Sequence, residues 1–258
     1  MRLTASALAA TALAASLAGA QGLAPAERRS DRELLGAETR AMQDDDTLNP
    51  GMLWVLDGEE LWNRPAGTPA RSCAGCHGDA RESMRGVAAR YPAFDLARGR
   101  PVSLEGRVQV CRQERQGAPA LEPESRELLA LQAFVAHQSR GMPVTAGDDD
   151  RLRPFITRGR ALFERRQGQL DLACADCHDA RWGQRLGGSV IPQGHPTGYP
   201  VYRLEWQSLG SLQRRLRNCM TGVRAEPYAY GSDEHVELEL YLTWRARGLP
   251  VETPGVRP

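Results

Sequence analysis

Two short runs of cysteine and histidine carry the most specific chemistry in this sequence. They are Cys73-Ala74-Gly75-Cys76-His77 and Cys174-Ala175-Asp176-Cys177-His178. In a C-x-x-C-H run, each thiol can add to one vinyl group of a haem, and the adjacent imidazole can bind the iron. The two runs therefore predict two covalently bound haem c groups, attached through Cys73, Cys76, Cys174 and Cys177, with His77 and His178 as axial iron ligands.

A zinc ribbon would use the same atoms and is the main alternative to haem. In a ribbon the two C-x-x-C pairs would lie closer together than the 101 residues that separate Cys73 from Cys174. Zinc would also not require a histidine directly after both pairs. A redox-active C-x-x-C pair with an idle histidine would explain one run but not the repetition, so the pattern favours haem.

An internal duplication indicates which elements must position these runs. Ser103-Leu104, Arg107 and Cys111 return as Ser211-Leu212, Arg215 and Cys219, at an offset of 108 residues. The stretch 131–144 returns as 238–251 at an offset of 107. Such self-similarity indicates two copies of one structural unit.

Each copy has the same predicted order of elements. A helix with an aromatic residue (Trp62 or Phe163) precedes the C-x-x-C-H run. A helix that ends near Cys111 or Cys219 follows, and then an amphipathic helix stopped by Gly-x-Pro. The pattern predicts a mainly α fold of two tandem class I cytochrome c domains, residues 21–148 and 149–258, joined at a charged stretch around 147–150.

The duplication also tests candidates for the second axial ligand of each iron. In the first half these are Met84, Cys111, His137 and Met142. The counterparts of His137 and Met142 are Trp244 and Leu249, whereas Cys111 is matched by Cys219. If both domains bind haem alike, the distal ligands are thiolates.

Other arrangements of these residues remain open from sequence. Cys111 and Cys219 could form an interdomain disulfide, and Met220, His195 or His235 could bind the second iron. His195 lies in a Gly/Pro-rich loop, where we expect a surface or haem-edge position. His235 is at a helix start, where we expect it to be solvated.

Basic residues concentrate around Cys219. The cluster comprises Arg214, Arg215, Arg217 and Arg224. Arg215 lies four residues before Cys219, so the two share a helix face. Arginine suits tetrahedral oxyanions such as sulfate and thiosulfate, although these arginines could instead bind haem propionates or form a solvated helix face. Arg107 and Arg112 flank Cys111, but Gly106, Gln109 and Val110 replace the rest of the cluster, and this asymmetry predicts that the C-terminal haem is the reactive one.

The N-terminus predicts export. Arg2 precedes a run of Ala, Leu and Ser that ends in Ala18-Gly19-Ala20, which fits a signal peptide over residues 1–20 cleaved after Ala20. No later stretch is apolar enough to span a bilayer. Loss of Arg2 leaves 32 basic and 32 acidic residues, which argues against nucleic-acid binding. We expect a periplasmic protein.

The region around the last cysteine resembles the SoxA family. The matching residues are Arg215-Leu216-Arg217-Asn218-Cys219-Met220, Val223-Arg224-Ala225-Glu226-Pro227-Tyr228 and the stretch 238–248. The resemblance covers essentially the whole mature chain and includes all six cysteines. SoxA is the dihaem cytochrome subunit of SoxAX, which acts in bacterial thiosulfate oxidation.

The resemblance implies a function and a set of roles. The function is that of an L-cysteine S-thiosulfotransferase, joining thiosulfate to a cysteine of a SoxYZ-type carrier with a SoxX-type monohaem cytochrome as partner. The axial pairs would be His77 with Cys111 and His178 with Cys219. Cys219 would be the active-site cysteine and Arg215 a substrate-site residue, and our hypothesis adds Arg224 and Arg245 as thiosulfate contacts. The competing functions are a pure electron-transfer cytochrome and a dihaem peroxidase.

Overall fold

The structure, a computed structural model, describes residues 24–258; the predicted signal peptide lies outside them. The helices are α1 Ala37–Asp44, α2 Met52–Asn63, α3 Cys73–His77, α4 Ala80–Ser83, α5 Leu104–Glu114, α6 Arg126–His137, α7 Arg153–Glu164, α8 Cys174–His178, α9 Leu212–Gly222 and α10 Asp233–Arg245. The strands are β1 Ala93–Asp95, β2 Arg100–Val102, β3 Arg185–Leu186, β4 Ser189–Val190, β5 Val201–Arg203, β6 Ser208–Gly210 and β7 Gly255–Arg257. The part of the chain described contains no helix with the length and apolarity needed to cross a membrane.

Each half is built around one pair of crossing helices. In the first half α2 packs against α6, and in the second α7 packs against α10. The predicted aromatic residues lie at these crossings: the rings of Trp62 and Phe134 are 5.9 Å apart, and those of Phe163 and Tyr241 are 5.4 Å apart. The fold is therefore mainly α with two tandem cytochrome c units, as the duplication predicts.

Glycine permits the close approach of the helices in both crossings. A Cβ atom at Gly58 would lie 2.2 Å from the carbonyl oxygen of Ala130, and one at Gly159 would lie 2.0 Å from that of Glu237. The obstructing atoms belong to the backbone of the partner helix, so they cannot rotate away. Any larger side chain must push the two helices apart.

We therefore expect Gly159→Ala to destabilise the second half. Forcing a methyl group into a packed helix crossing costs about 1–3 kcal/mol, although alanine itself is the better helix former. Thermal unfolding would show a lower Tm. Gly222→Ala is the matched control: its Cβ would meet nothing within 4 Å at the end of α9, and a Tm equal for both variants would contradict this account.

Serine caps fix the start of the helices that carry Cys111 and Cys219. The Ser103 side chain accepts a hydrogen bond from the backbone N–H of Gly106, and Ser211 accepts one from that of Arg214. Both serines thereby satisfy an N–H group that the first helical turn leaves free. Cys111 and Cys219 then follow eight residues after their caps, which places them equivalently in the two halves.

A short hairpin that the sequence did not predict precedes each of these helices. β1 pairs antiparallel with β2 before α5, and β5 pairs antiparallel with β6 before α9. β7 adds to β5 in parallel. Three-residue strands are too short for the alternation of apolar and polar residues to reveal them. They matter because the first strand of each hairpin ends in a charged residue, which is Asp95 in β1 and Arg203 in β5.

The segments that stop α6 and α10 pair with each other. The N–H of Val144 donates to the carbonyl of Leu249, and the N–H of Val251 donates to that of Met142. Outside this pair, Gly141 donates to Val251 and Gly248 donates to Val144. The Gly-x-Pro stops predicted for each helix thus also form one of the contacts between the two halves.

The leading segment of the described chain crosses to the second half. The Asn49 side chain donates to the carbonyl of Pro254, and the N–H of Val256 donates to Gln43 Oε1. Gln43 and Asn49 fall within the range 21–148 predicted for the first domain, yet both form hydrogen bonds with the second half. The boundary at 148/149 stays a prediction.

Candidate haem sites and thiol site

The first C-x-x-C-H run lines a cavity of about 680 Å³. Cys73, Cys76 and His77 line it together with Cys111 and Met84. Burial raises the pKa of Cys111, and the nearby Cys76 thiol acts in the same direction. His137 and Met142 do not line this cavity, so the structure leaves Cys111 and Met84 as candidates opposite His77.

The second run lines a cavity together with the last cysteine. Cys174 and His178 face it from α8, and Arg215 and Cys219 face it from α9. Burial raises the pKa of Cys174 to about 11, and the neighbouring Cys219 thiol adds to the effect. The structure thus brings together a haem-attachment cysteine, the histidine of the run, and the arginine and cysteine of the basic cluster.

The imidazole of His178 is held in the orientation that an iron ligand needs. Its Nδ1 lies 2.7 Å from the carbonyl oxygen of Pro192. A carbonyl can only accept, so Nδ1 carries the proton and Nε2 keeps its lone pair. Metal-bound histidines are commonly fixed in this way. Burial also lowers the pKa of His178, which favours the neutral, ligating form.

Glycine lets the loop after Pro192 approach this ring. Gly194 has φ +75°, and a Cβ there would lie 3.3 Å from Nδ1 of His178. The next residue, His195, is 1% exposed and also lines the second cavity. Of the two positions expected for His195, surface or haem edge, the surface position was therefore wrong, because the loop folds inward and places His195 in the cavity that His178 lines.

Three of the alternatives for the cysteines and the second iron do not fit: the disulfide, Met220 and His235. Cys111 and Cys219 are free thiols in separate cavities, so no disulfide joins them. Met220 is buried at 4% exposure and His235 at 0%, and neither lines the second cavity. The expectation that His235 is solvated was wrong: its Nδ1–H donates to the carbonyl of Ala229, and the ring lies inside the fold.

Arg215 differs from its neighbours because its guanidinium has no hydrogen-bond or ion-pair partner among residues 24–258. Its charge interacts with the thiol of Cys219, the phenol of Tyr199 and the carboxyl of Asp31, and no hydrogen bond to a side chain contributes. Burial lowers the pKa of Arg215, but these groups outweigh it and raise the pKa overall. A partly buried, protonated guanidinium with free donors beside a thiol is suited to binding an anion.

The other arginines of the cluster are engaged. The guanidinium of Arg214 stacks on the ring of Trp206 at 4.0 Å, and that of Arg217 stacks on Tyr230 at 4.7 Å. Arg217 also donates to the carbonyl of Tyr228. These two side chains stabilise the surface of α9, which leaves Arg215 as the member of the cluster that faces Cys219.

The counterpart of Arg215 in the first half is paired. Arg107 donates to Asp95 Oδ2 at 2.8 Å, and Asp95 is 4% exposed. Burial raises the pKa of Asp95, but hydrogen bonds from Arg98 and the charge of Arg107 lower it overall. In the second half the position of Asp95 on the strand is taken by Arg203. The strand residue is negatively charged in the first half and positively charged in the second. Arg107 is therefore neutralised by an ion pair, whereas Arg215 has no such partner.

Arg203 itself adds positive charge near the thiol. Its side chain is 14% exposed and forms an ion pair with Glu205 at 2.9 Å. Burial and then the charge of Arg215 lower the pKa of Arg203, which shows that the two guanidinium groups repel each other. Sequence analysis missed Arg203, although the 108-residue offset that matches Arg107 with Arg215 also matches Asp95 with Arg203.

The structure does not bring Arg224 and Arg245 into the Cys219 cavity. Arg245 is 5% exposed, donates to Asp179 and stacks on Phe163 at 4.4 Å, behind the second C-x-x-C-H run. Arg224 follows α9 with φ +57°, and its carbonyl accepts a hydrogen bond from the N–H of Gln169. Of the three arginines predicted to contact thiosulfate, the structure therefore places only Arg215 in the Cys219 cavity.

A substitution at Arg224 separates these roles. Left-handed backbone favours glycine, so Arg224→Gly should stabilise the end of α9 by about 1 kcal/mol and leave the KM for thiosulfate unchanged. Thermal unfolding and steady-state kinetics measure the two effects. A raised KM in this variant would mean that Arg224 belongs to the substrate site. Arg245→Lys keeps the positive charge of a buried arginine, and its Tm and KM can be compared with those of Arg224→Gly.

The comparisons with known proteins agree with this geometry. The family model described as "SoxA/TsdA, cytochrome c domain" matches residues 57–144 and 158–251. The subunit named L-cysteine S-thiosulfotransferase subunit SoxA from Pseudaminobacter salicylatoxidans is 40% identical over 222 residues, covering 86% of this chain and 78% of its own. The chain belongs to the SoxA family. The SoxA subunit from Rhodovulum sulfidophilum is 38% identical over 85% of this chain and 77% of its own.

A solved structure extends the likeness to the fold. The crystal structure of SoxXA from P. pantotrophus matches with a TM-score of 0.86 and 33% identity, covering 90% of this chain and 87% of that one. SoxA membership and the cytochrome c domains imply covalently bound haem c. The residues present fit that group: Cys73, Cys76 and His77 line the first cavity with Cys111, and Cys174 and His178 line the second with Cys219.

Proposed function

We propose that this SoxA-family chain catalyses the oxidative conjugation of thiosulfate to a cysteine of a carrier protein, as an L-cysteine S-thiosulfotransferase subunit. The observation that carries the proposal is the unpaired guanidinium of Arg215 in the same cavity as the Cys219 thiol. It provides an anion-binding group next to a sulfur nucleophile, and the other half of the molecule lacks it.

The chain's own residues supply binding and sulfur chemistry. Arg215 would hold the sulfonate end of thiosulfate through charge-assisted hydrogen bonds, which place the outer sulfur beside Cys219. The Cys219 sulfur would take part in forming the new S–S bond. Tyr199, whose pKa burial raises to about 12, stays protonated and can donate a hydrogen bond within the cavity.

Two haem c groups are part of the proposal, one for each C-x-x-C-H run. Cys73, Cys76 and His77 would hold the first with Cys111 opposite, and Cys174, Cys177 and His178 would hold the second with Cys219 opposite. When bound, haem c supplies a one-electron acceptor, and a thiolate ligand stabilises its ferric form.

Partners and location complete the proposed function. A SoxX-type monohaem cytochrome would form a heterodimer with this chain, as the matched SoxXA structure pairs the two in name. A SoxYZ-type carrier would bring the acceptor cysteine. Export after cleavage at Ala20 would place the protein in the periplasm, where covalent haem and free thiols coexist with oxidised sulfur compounds.

The test mixes the purified heterodimer with thiosulfate and a carrier that has one free cysteine. We expect the carrier to gain the mass of a thiosulfonate adduct while a cytochrome is reduced. Intact mass of this chain should show two haem additions. Cytochrome reduction without any adduct would instead support the alternative, a dihaem electron-transfer protein without sulfur chemistry of its own.

A further inference from the structure

A carboxyl group from the leading segment lies in the Cys219 cavity. Asp31 begins the 3-10 helix Asp31–Leu34, and its side chain lines the cavity together with Arg215 and Cys219. Its Oδ1 atom is buried and has no hydrogen-bond partner among residues 24–258. Buried polar atoms are almost always paired, so an unpaired carboxyl inside a reactive cavity requires a functional explanation.

Hydrogen bonds to buried side chains hold this segment in place. The N–H of Arg29 donates to Gln193 Oε1 at 2.7 Å, and His195 Nδ1–H donates to the carbonyl of Arg29 at 2.8 Å. Gln193 and His195 are each 1% exposed. The hydroxyl of Ser30 donates to the carboxylate of Glu252. The position of Asp31 is therefore fixed by the second half of the molecule.

The proposed reaction must release one proton. Joining the carrier thiol to the outer sulfur of thiosulfate breaks an S–H bond and forms an S–S bond. Two electrons leave, one to each of two ferric c-type haems, and the thiol proton needs an acceptor. Neither the electron acceptors nor the protonated Arg215 can take it.

We propose that the Asp31 carboxylate accepts the thiol proton of the carrier cysteine as its sulfur bonds to thiosulfate. The proposal rests on the proposed function and identifies the general base that its reaction requires. Asp31 is the one carboxylate among the residues of 24–258 that line this cavity. Its other charged neighbours are Arg257 and Glu252, which face it from the C-terminal segment.

The acid–base properties of the cavity support this assignment. Burial raises the pKa of Asp31 to about 6, close to the pH at which a general base is most effective. Burial lowers the pKa of His195 to about 4, which makes it a weaker base. The phenol of Tyr199 stays protonated, so it is a donor.

The test compares Asp31→Asn with wild type in the complete heterodimer, using thiosulfate and the single-cysteine carrier. Asparagine keeps the shape of the side chain but cannot take a proton. We expect kcat/KM to fall about 100-fold with both haems still attached. Asp148→Asn, at an exposed aspartate in the loop before α7, is the matched control and should turn over like wild type.

The pH dependence provides a second readout that needs no variant. Because the base acts in its ionised form, the wild-type rate should rise as the pH increases through about 6, and Asp31→Asn should lose that rise. A wild-type rate that is flat across this range, or an Asp31→Asn profile equal to wild type, would overturn the role of Asp31 while adduct formation still supported the function. A wild type that forms no adduct would overturn both.

Discussion

Cys219→Ala should abolish conjugation of thiosulfate to the carrier cysteine. The substitution removes the cysteine that lines the Arg215 cavity and is not needed for haem attachment, and loss of a reacting side chain typically costs about 1,000-fold or more in rate. Haem attachment depends on Cys174 and Cys177, which remain. The measurement is adduct formation by carrier mass, with intact mass of the variant to count haems.

The duplication provides the control for this experiment. Cys111→Ala removes the equivalent thiol of the first half, where Asp95 neutralises Arg107 at 2.8 Å. We expect this variant to keep conjugating thiosulfate. Wild-type turnover by Cys219→Ala would contradict the proposed site, and equal loss in both variants would mean that the two thiols serve one step.

Arg203→Asp should inactivate the second site by the means that the first half already uses. An aspartate at this strand position is expected to pair with Arg215 as Asp95 pairs with Arg107, because the two strands and helices are equivalent. Hydrogen bonds to a charged group contribute about 1.5–3 kcal/mol, so occupying the guanidinium should lower kcat/KM for thiosulfate about 10- to 100-fold. Steady-state kinetics over a range of thiosulfate concentrations measures the change.

A neutral substitution distinguishes pairing from loss of charge. Arg203→Met removes the positive charge but offers Arg215 no acceptor, so its effect should be smaller than that of Arg203→Asp. The ion pair that Arg203 makes with Glu205 is lost in both variants, which makes them comparable. If the two variants are equally active, then an acceptor beside Arg215 does not reduce thiosulfate binding, and the thiosulfate contact lies elsewhere.

Local sequence patterns were sufficient for the haem runs and for the helices that support them. The two C-x-x-C-H runs, the caps at Ser103 and Ser211 and the Gly-x-Pro stops are each encoded within a few residues. The duplication then predicted the fold, because the same order of elements occurs twice. The short hairpins were missed, since strands of three residues have no readable periodicity.

The remainder of the site depends on contacts between distant parts of the chain. Gln193 meets Arg29 across 164 residues, and no local pattern signals that Asp31 reaches the second cavity. The inward turn of His195 has the same cause, because its partner is the carbonyl of Arg29. The ion pairs of the arginines were predictable only in part. Aligning the two copies matches Asp95 with Arg203, but it does not show which guanidinium lies near each of these side chains.

The contact between the Gly-x-Pro segments has a further consequence. Val144 donates to Leu249 while Val251 donates to Met142, and 144 and 142 are the counterparts of 251 and 249 in the duplication. Whenever a residue of one half donates to a residue of the other, their counterparts are joined by the equivalent hydrogen bond, which is the defining property of an isologous, two-fold interface between identical subunits. At this contact the two halves of the single chain meet as the two protomers of a homodimer would.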